Sequence, residues 1–140
     1  MKPYLFTLIG FVFILFSVTS TSVAEEIDVE KGCENNPAAV GECFLVHGRI
    51  RLYNGTPGIR IWIIGTKRLL GVIPSENEIM PQKVSKHIAD GTDIFGDFVV
   101  CPFTKQKEGH MQMVCIESAS NLVIQRHRQG ERSEIIVINE

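Results

Sequence analysis

The 140-residue sequence lacks the short motifs that identify a reaction. It has no Gly-x-Ser-x-Gly elbow to expose a serine nucleophile, and no Cys-x-x-Cys pair, which disfavours a zinc site. It also lacks a basic excess: the formal net charge is −2, whereas nucleic-acid binders carry basic stripes that neutralise phosphates. We therefore predict no catalytic residue, no cofactor and no nucleic-acid partner.

The chain also lacks an apolar run of ordinary transmembrane length, because residues 5–18 fall short of the ~20 residues that cross a bilayer. Lys2 precedes this run, and Ser22 and Ala24 follow it with the small side chains of a cleavage site. We predict a signal peptide over residues 1–24, with an uncleaved N-terminal anchor as the alternative. The mature protein is then periplasmic or secreted, without membrane contact.

The remaining residues are enough for one domain. Residues 25–42 are acidic and broken by glycine, asparagine and proline, which indicates an N-terminal arm. Residues 43–140 are expected to form the domain. Its proline-initiated segment 81–89 predicts one short amphipathic helix, and strand signals alternate apolar and polar residues, at residues 44–53, 59–64, 94–101, 111–117, 122–125 and 135–138. This pattern predicts an all-β fold: a single antiparallel β-sandwich of about seven strands with the short helix in an insertion.

The clearest local prediction is a β-hairpin between residues 48 and 66. Two alternating apolar runs flank a turn sequence, Asn54-Gly-Thr-Pro-Gly58, whose residues suit a tight reversal. Its strands place basic and aromatic side chains outward and near one another, and Arg60 and Trp62, on the same side of one strand, are able to stack. We identify the following residues as a candidate partner surface, with an ordinary solvated sheet face as the simpler alternative: Arg49, Arg51, Arg60 and Trp62.

All four cysteines, Cys33, Cys43, Cys101 and Cys115, lie in the predicted mature chain, and an exported protein meets an oxidising environment. Two disulfides are expected, and four cysteines allow three pairings. The polar stretch between the last two cysteines predicts a hairpin tip that places Cys101 directly opposite Cys115. This geometry favours Cys101 with Cys115, and Cys33 with Cys43.

Three carboxylates, Asp93, Asp97 and Glu117, are placed so that they could meet near the Cys101 hairpin, and paired carboxylates support acid–base catalysis. Turn chemistry explains the two aspartates more simply. A small hydrolase of unknown substrate is therefore an alternative function. The sequence indicates no partner for His47 or His127.

His110, Met111 and Met113 form the one candidate metal cluster. Met111 and Met113 point to the same face of a strand, and soft thioethers suit Cu(I) in an oxidising compartment. The simpler interpretation places both methionines in the core beside Phe103. No metal site is therefore predicted, and a periplasmic copper-binding protein remains an alternative function.

Several turn sequences resemble the carboxypeptidase regulatory-like, or transthyretin-like, domain pattern. The resemblance rests on Gly48, on Asn54 to Gly58, on the strand from Ile61 to Thr66 that ends in Gly-Thr, and on the turn from Thr92 to Phe98. It implies a prealbumin-type sandwich that serves as an accessory or interaction module. Some transthyretin-like relatives hydrolyse 5-hydroxyisourate, but their carboxyl-terminal Tyr-Arg-Gly-Ser signature is absent from this chain.

Two further stretches, 46–57 and 111–121, resemble small exported bacterial proteins of unassigned function. Because the sequence also lacks a catalytic motif, we predict an exported, non-catalytic β-sandwich module. We expect it to bind or support a partner protein, whose identity the residues do not indicate.

Overall fold

A computed structural model describes residues 32–73, 80–130 and 132–139. The predicted signal peptide and its cleavage site lie outside these residues. The described chain forms one helix, α1, and six β-strands, with the bounds β1 Phe44–Leu52, β2 Ile59–Ile63, β3 Leu69–Val72, α1 Gln82–Ser85, β4 Thr92–Pro102, β5 Gln112–Arg126 and β6 Glu134–Ile138. The predicted all-β class with one short helix is confirmed.

All six strands belong to one sheet, in the order β3-β2-β1-β4-β5-β6. The sheet closes on itself because β3 also pairs with β5, in parallel, at Leu70↔Gln112 to Val72↔Val114. The two opposed layers expected of a sandwich are thus parts of one curled sheet. Five strands form a closed barrel with the architecture of the OB-fold, and β6 pairs with the far end of the long β5.

The predicted hairpin is confirmed as β1 and β2, which pair antiparallel from Leu52↔Ile59 to Gly48↔Ile63. The amide of Tyr53 donates to the carbonyl of Gly58 at 2.7 Å and closes the turn. Gly48 is required by a close approach: a Cβ there would lie 2.6 Å from Cγ2 of Ile61. The glycine therefore allows the sheet to curl at this point.

Two strand predictions differ from the structure. The signals at 111–117 and 122–125 belong to one continuous strand, β5, and the short β3 was not predicted. Asn121, within β5, has φ 51°, and the β4–β5 register shifts between Phe95 and Asp97. The turn-forming residues that interrupt the apolar pattern thus mark a bulge within one strand and not a break between two.

The barrel interior is filled by alternate residues of the five strands. The fully buried side chains with the largest volumes are Phe98, Ile50, Ile61, Leu70, Ile94, Ile116, Leu122, Ile124, Val72, Val84, Val100 and Val114. Val84 comes from α1, which therefore packs its apolar side onto the barrel. Arginines, histidines and most carboxylates are left on the outer surface of the sheet.

The predicted disulfide pairing is wrong, although two disulfides are present. Cys101 does stand opposite Cys115 in the β4–β5 register, but the bonds join Cys33 to Cys115 and Cys43 to Cys101. The reason is that β4 lies between β1 and β5, so Cys101 has neighbours on both sides. Cys43 directly precedes β1, whose register with β4 brings it across from Cys101.

The described part of the N-terminal arm is attached to the sheet at several points. Besides the Cys33 disulfide, the amide of Glu34 donates to Oε2 of Glu117 at 2.9 Å, and that of Val40 to the carbonyl of Pro102 at 2.8 Å. The two disulfides are consistent with an oxidising, extracellular or periplasmic compartment. In the described ranges, no helix has the length and apolar character needed to cross a membrane.

Candidate functional site

The outer side of β1, β2 and the turn between them carries a cluster of basic and aromatic side chains. Strand register places Arg60 beside Arg51, and Trp62 beside Arg49. Tyr53, in the turn, completes the group. We call Arg49, Arg51, Tyr53, Arg60 and Trp62 the arginine–aromatic face.

Two of the arginines stack on aromatic rings. The guanidinium carbon of Arg49 lies 5.2 Å from the centroid of the Trp62 ring, and that of Arg60 lies 5.1 Å from the centroid of the Tyr53 ring. Both distances are within the range of cation–π attraction. Arg60 and Trp62 share a side of β2 as expected, but each stacks with a residue of the neighbouring strand or turn and not with the other.

Hydrogen bonds hold these stacked side chains in place. Arg60 donates from Nε to the carbonyl of Pro57 at 3.0 Å, and Trp62 donates from Nε1 to the carbonyl of Thr66 at 2.7 Å. Arg49 donates a hydrogen bond from Nη2 to the hydroxyl oxygen of Tyr53 at 3.4 Å. The rings and guanidinium groups are therefore ordered before any ligand arrives.

Asp93, on β4, is the carboxylate that balances part of this positive charge. It lies opposite Arg51 in the β1–β4 register, and Arg51 donates two hydrogen bonds to its two oxygens. The Asp93 side chain is only 4% exposed, and His127 Nε2 lies 3.1 Å from its Oδ2. Burial acts to raise the pKa of Asp93, but the hydrogen bonds from Arg51 and His127 outweigh it, so the pKa is lowered.

Arg49 is less completely neutralised. Its Nε lies 3.7 Å from Oδ1 of Asp93, too far for a hydrogen bond, and this buried nitrogen has no hydrogen-bond partner in the described part of the chain. Arg49, Arg51 and Arg60 together carry three positive charges, and among the described residues the carboxylate of Asp93 contacts Arg49 and Arg51. The arginine–aromatic face is therefore positive.

Beside Arg51, a carboxylate, an imidazole and a hydroxyl contact one another in sequence: Asp93, His127 and Ser133. Asp93 Oδ2 contacts His127 Nε2 at 3.1 Å, and His127 Nδ1 lies 3.3 Å from the hydroxyl oxygen of Ser133. If Nε2 carries the proton, Nδ1 accepts from the hydroxyl, as in a serine nucleophile and its base. Arg51 and Arg49 also bind the Asp93 charge, which weakens the support that this carboxylate gives to an imidazolium.

The three carboxylates considered for catalysis do not form one site in the structure. Asp97 binds His47 Nδ1 at 2.8 Å and the side-chain amide of Asn121 at 2.7 Å, whereas Asp93 binds Arg51 and His127. The hydrogen bond from Asn121, then that from His47, lowers the pKa of Asp97. Each aspartate therefore has its own partners, and those of His47 and His127 come from sheet register, which the sequence alone does not reveal.

The methionines of the candidate metal cluster are not in the core, which makes the simpler expectation wrong. Met111 and Met113 are half-buried on the outer side of the barrel, and neither belongs to the two apolar clusters of the described residues. Met111 and Met113 face outward because Gln112 and Val114, which alternate with them, face inward. His110 is exposed and contacts the carbonyl of Glu108 at 3.0 Å.

Comparison with known proteins gives no match to any family model, curated protein or solved structure. The resemblance to transthyretin-like domains therefore remains a prediction. The observations that bear on function are therefore the contacts and charges of the arginine–aromatic face.

Proposed function

We propose that this protein is an exported, non-catalytic β-module that binds an acidic segment of a partner protein on its arginine–aromatic face. One observation carries the proposal: Arg49 and Arg60 are stacked on Trp62 and Tyr53 on one positive side of the sheet. The face stands beside Asp93, which supplies less negative charge than the three arginines carry.

The stacking favours carboxylate ligands over nucleic-acid bases. A base binds by lying flat on an exposed aromatic ring, but here a guanidinium group lies over each of the two rings. A stacked guanidinium still presents the N–H groups at its edge, and these match a carboxylate or a phosphate group in a planar, bidentate contact. An acidic peptide segment satisfies this geometry.

The position of the face in the barrel also supports a binding role. Barrels of this architecture bind oligonucleotides and oligosaccharides through the face formed by their second and third strands and through nearby loops, including the loop between the first two strands, so the architecture supports the position of the face and not the kind of ligand. Trp62 and Arg60 lie on β2, and Tyr53 lies in the β1–β2 loop. The barrel architecture by itself does not identify the function, since one fold serves many functions.

A fluorescence titration tests the proposal, because Trp62 is the only tryptophan of the chain. Poly-glutamate, poly-lysine, a single-stranded oligonucleotide and a neutral glycan are added separately to the purified protein. We expect a saturable change in Trp62 emission with poly-glutamate alone, weakened by added salt because salt screens exposed charges.

Matched variants separate specific binding from net charge. The double variant Arg49→Ala/Arg60→Ala should lose the response to poly-glutamate, whereas Lys105→Ala/Arg132→Ala removes two exposed charges elsewhere and should retain it. Arg49→Lys/Arg60→Lys keeps the charge but removes the planar stack, and should bind more weakly than the native protein. Equal binding by the two alanine double variants, or a stronger response to the oligonucleotide or the glycan, would contradict the proposal.

A small hydrolase is the second candidate function, and the line of Asp93, His127 and Ser133 favours it. A fluorophosphonate probe, which labels activated serines, tests it directly. Labelling of the native protein that disappears in both Ser133→Ala and His127→Gln would support hydrolysis, and an unlabelled protein would exclude an activated Ser133.

A further inference from the structure

Met111 and Met113 belong neither to the apolar core nor to the five residues of the arginine–aromatic face. Methionines commonly fill gaps in a core, and Met80 does so here because it packs against the main apolar cluster. Met111 and Met113 instead lie on the outer side of the barrel, near the β3–β5 pairing that closes it, and pack into neither apolar cluster of the described residues.

The two thioether sulfurs converge on one point above Gly71. A Cβ built on this glycine would lie 2.8 Å from Sδ of Met113 and 3.0 Å from Sδ of Met111. Gly71 faces outward beside Met113 in the β3–β5 register, and Pro57 borders the same point at 2.6 Å. A residue larger than glycine at position 71 would therefore displace at least one sulfur.

His110 directly precedes Met111 in the sequence and offers a third donor atom. Its Nδ1 lies 3.0 Å from the carbonyl oxygen of Glu108, and because a carbonyl only accepts, Nδ1 donates and Nε2 keeps a free lone pair. Metal-binding imidazoles are oriented in this way by a hydrogen bond from the other ring nitrogen. His110 and Met111 line the same open cleft, of ≈ 660 Å³.

We propose that Met111, Met113 and His110 bind one Cu(I) ion near the point above Gly71 where the two sulfurs converge. Two thioethers and one neutral imidazole are soft, uncharged ligands, the kind that selects Cu(I). Lys67, Arg68 and Lys107 line the cleft as well, and their repulsion is smaller for a monovalent ion than for a divalent one. The site adjoins the arginine–aromatic face, because Gly71 pairs with Arg60 in the β2–β3 register and Pro57 accepts a hydrogen bond from Arg60.

Methyl resonances of the methionines test the proposal on the native protein. Cu(I) is supplied without oxygen as its acetonitrile complex with ascorbate, because thiol reductants would open the disulfides. The Met111 and Met113 methyl signals should shift and saturate at one equivalent, and the Met80 signal should stay in place as an internal control. Absence of a shift at Met111 and Met113 would overturn the proposal, as would an equal shift at Met80.

Variants then assign the ligands by competition with a chromophoric Cu(I) chelator. Met111→Leu and Met113→Leu should each weaken Cu(I) binding by more than the ~10–100-fold that loss of an outer-shell partner costs, and Met80→Leu should bind as the native protein does. His110→Gln should also weaken binding. Unchanged affinity in the double variant Met111→Leu/Met113→Leu, with both disulfides formed, would exclude this site.

Discussion

At the scale of single residues, Asp93 has the largest influence on the arginine–aromatic face. Its buried carboxylate binds Arg51 through both oxygens, faces Arg49 and accepts from His127. The sequence shows Asp93 only as a turn-entry aspartate. Its role comes from the β1–β4 register, which places it opposite Arg51 across 42 residues of chain.

Asp93→Asn should destabilise the protein, because the amide leaves the arginine charges without their counter-ion. We expect the free energy of unfolding to fall by about 1–3 kcal/mol, measured by urea denaturation. Asp97→Asn is the matched control: Asp97 is 28% exposed and its partner His47 is 64% exposed, so its loss should cost at most about 1 kcal/mol. Equal losses would show that the Asp93 cluster is not buried as described.

The lowered pKa of His87 makes the stability of the fold depend on pH below about pH 6.5. Burial, followed by the charges of Lys86 and Arg126, lowers the pKa of His87 below 6.5. Arg126 lies 3.4 Å from its Nδ1, and its buried Nε2 has no hydrogen-bond partner among the described residues. A protonated His87 ring would carry a positive charge beside Arg126, and its Nε2–H group would have no hydrogen-bond acceptor among the described residues.

The sign of the effect follows from the lowered pKa. Below about pH 6.5 the unfolded chain binds more protons at this histidine than the folded chain, so stability is lost as the pH falls through the folded-state pKa. Urea midpoints of the native protein should therefore decrease from pH 7.5 to pH 5.5, and those of His87→Gln should decrease less. Parallel decreases in both proteins would assign the effect to other groups.

At the scale of elements, the local sequence was sufficient to predict the β1–β2 hairpin. It was not sufficient to predict which of the other strands lie beside each other. Residues 54–58 specify a reversal by their own turn chemistry, and alternation places Arg49, Arg51, Arg60 and Trp62 outward. Nothing in that pattern says which strand lies beside which. The missed contact between Asp93 and His127 and the missed cysteine pairing both depend on register between strands, which is set by packing of the whole barrel.

Gly48 tests the close contact between β1 and β2. Because a Cβ at this position would meet Ile61 at 2.6 Å and the carbonyl of Trp62 at 3.1 Å, Gly48→Ala should destabilise by about 1–3 kcal/mol. In the same hairpin, Gly58→Ala places its Cβ no closer than 3.5 Å to any neighbour and should change stability by less than about 0.5 kcal/mol. Urea unfolding of the pair measures the difference, and similar midpoints would contradict the tight contact at Gly48.

At the scale of the whole molecule, long-range links close the barrel. β3 and β5 join residues as distant as Leu70 and Gln112, and the disulfides join cysteines 82 and 58 residues apart. The composition and the strand periodicity were sufficient to predict the all-β class. They did not reveal that one sheet closes on itself, because alternation is the same in a barrel and in a sandwich.

The disulfides should contribute strongly because they close long loops of the unfolded chain. Peptide mapping without reduction should recover Cys33 linked to Cys115, and Cys43 linked to Cys101. Replacing Cys43 and Cys101 by alanine should lower the free energy of unfolding by about 4 kcal/mol in the chain-entropy model. A recovered Cys101–Cys115 peptide, or an unchanged unfolding midpoint, would contradict the assigned connectivity.

The proposed binding role is tested most directly at the arginines themselves. Side-chain Nε–H resonances of Arg49, Arg51 and Arg60 are followed by NMR while an acidic peptide is added to the ¹⁵N-labelled protein. We predict that the Arg49 and Arg60 signals shift together and saturate, that the Arg51 signal moves less because Asp93 already binds it, and that the exposed Arg132 stays unchanged. Shifts spread equally over all arginines, or none at Arg49 and Arg60, would contradict a binding site on the arginine–aromatic face.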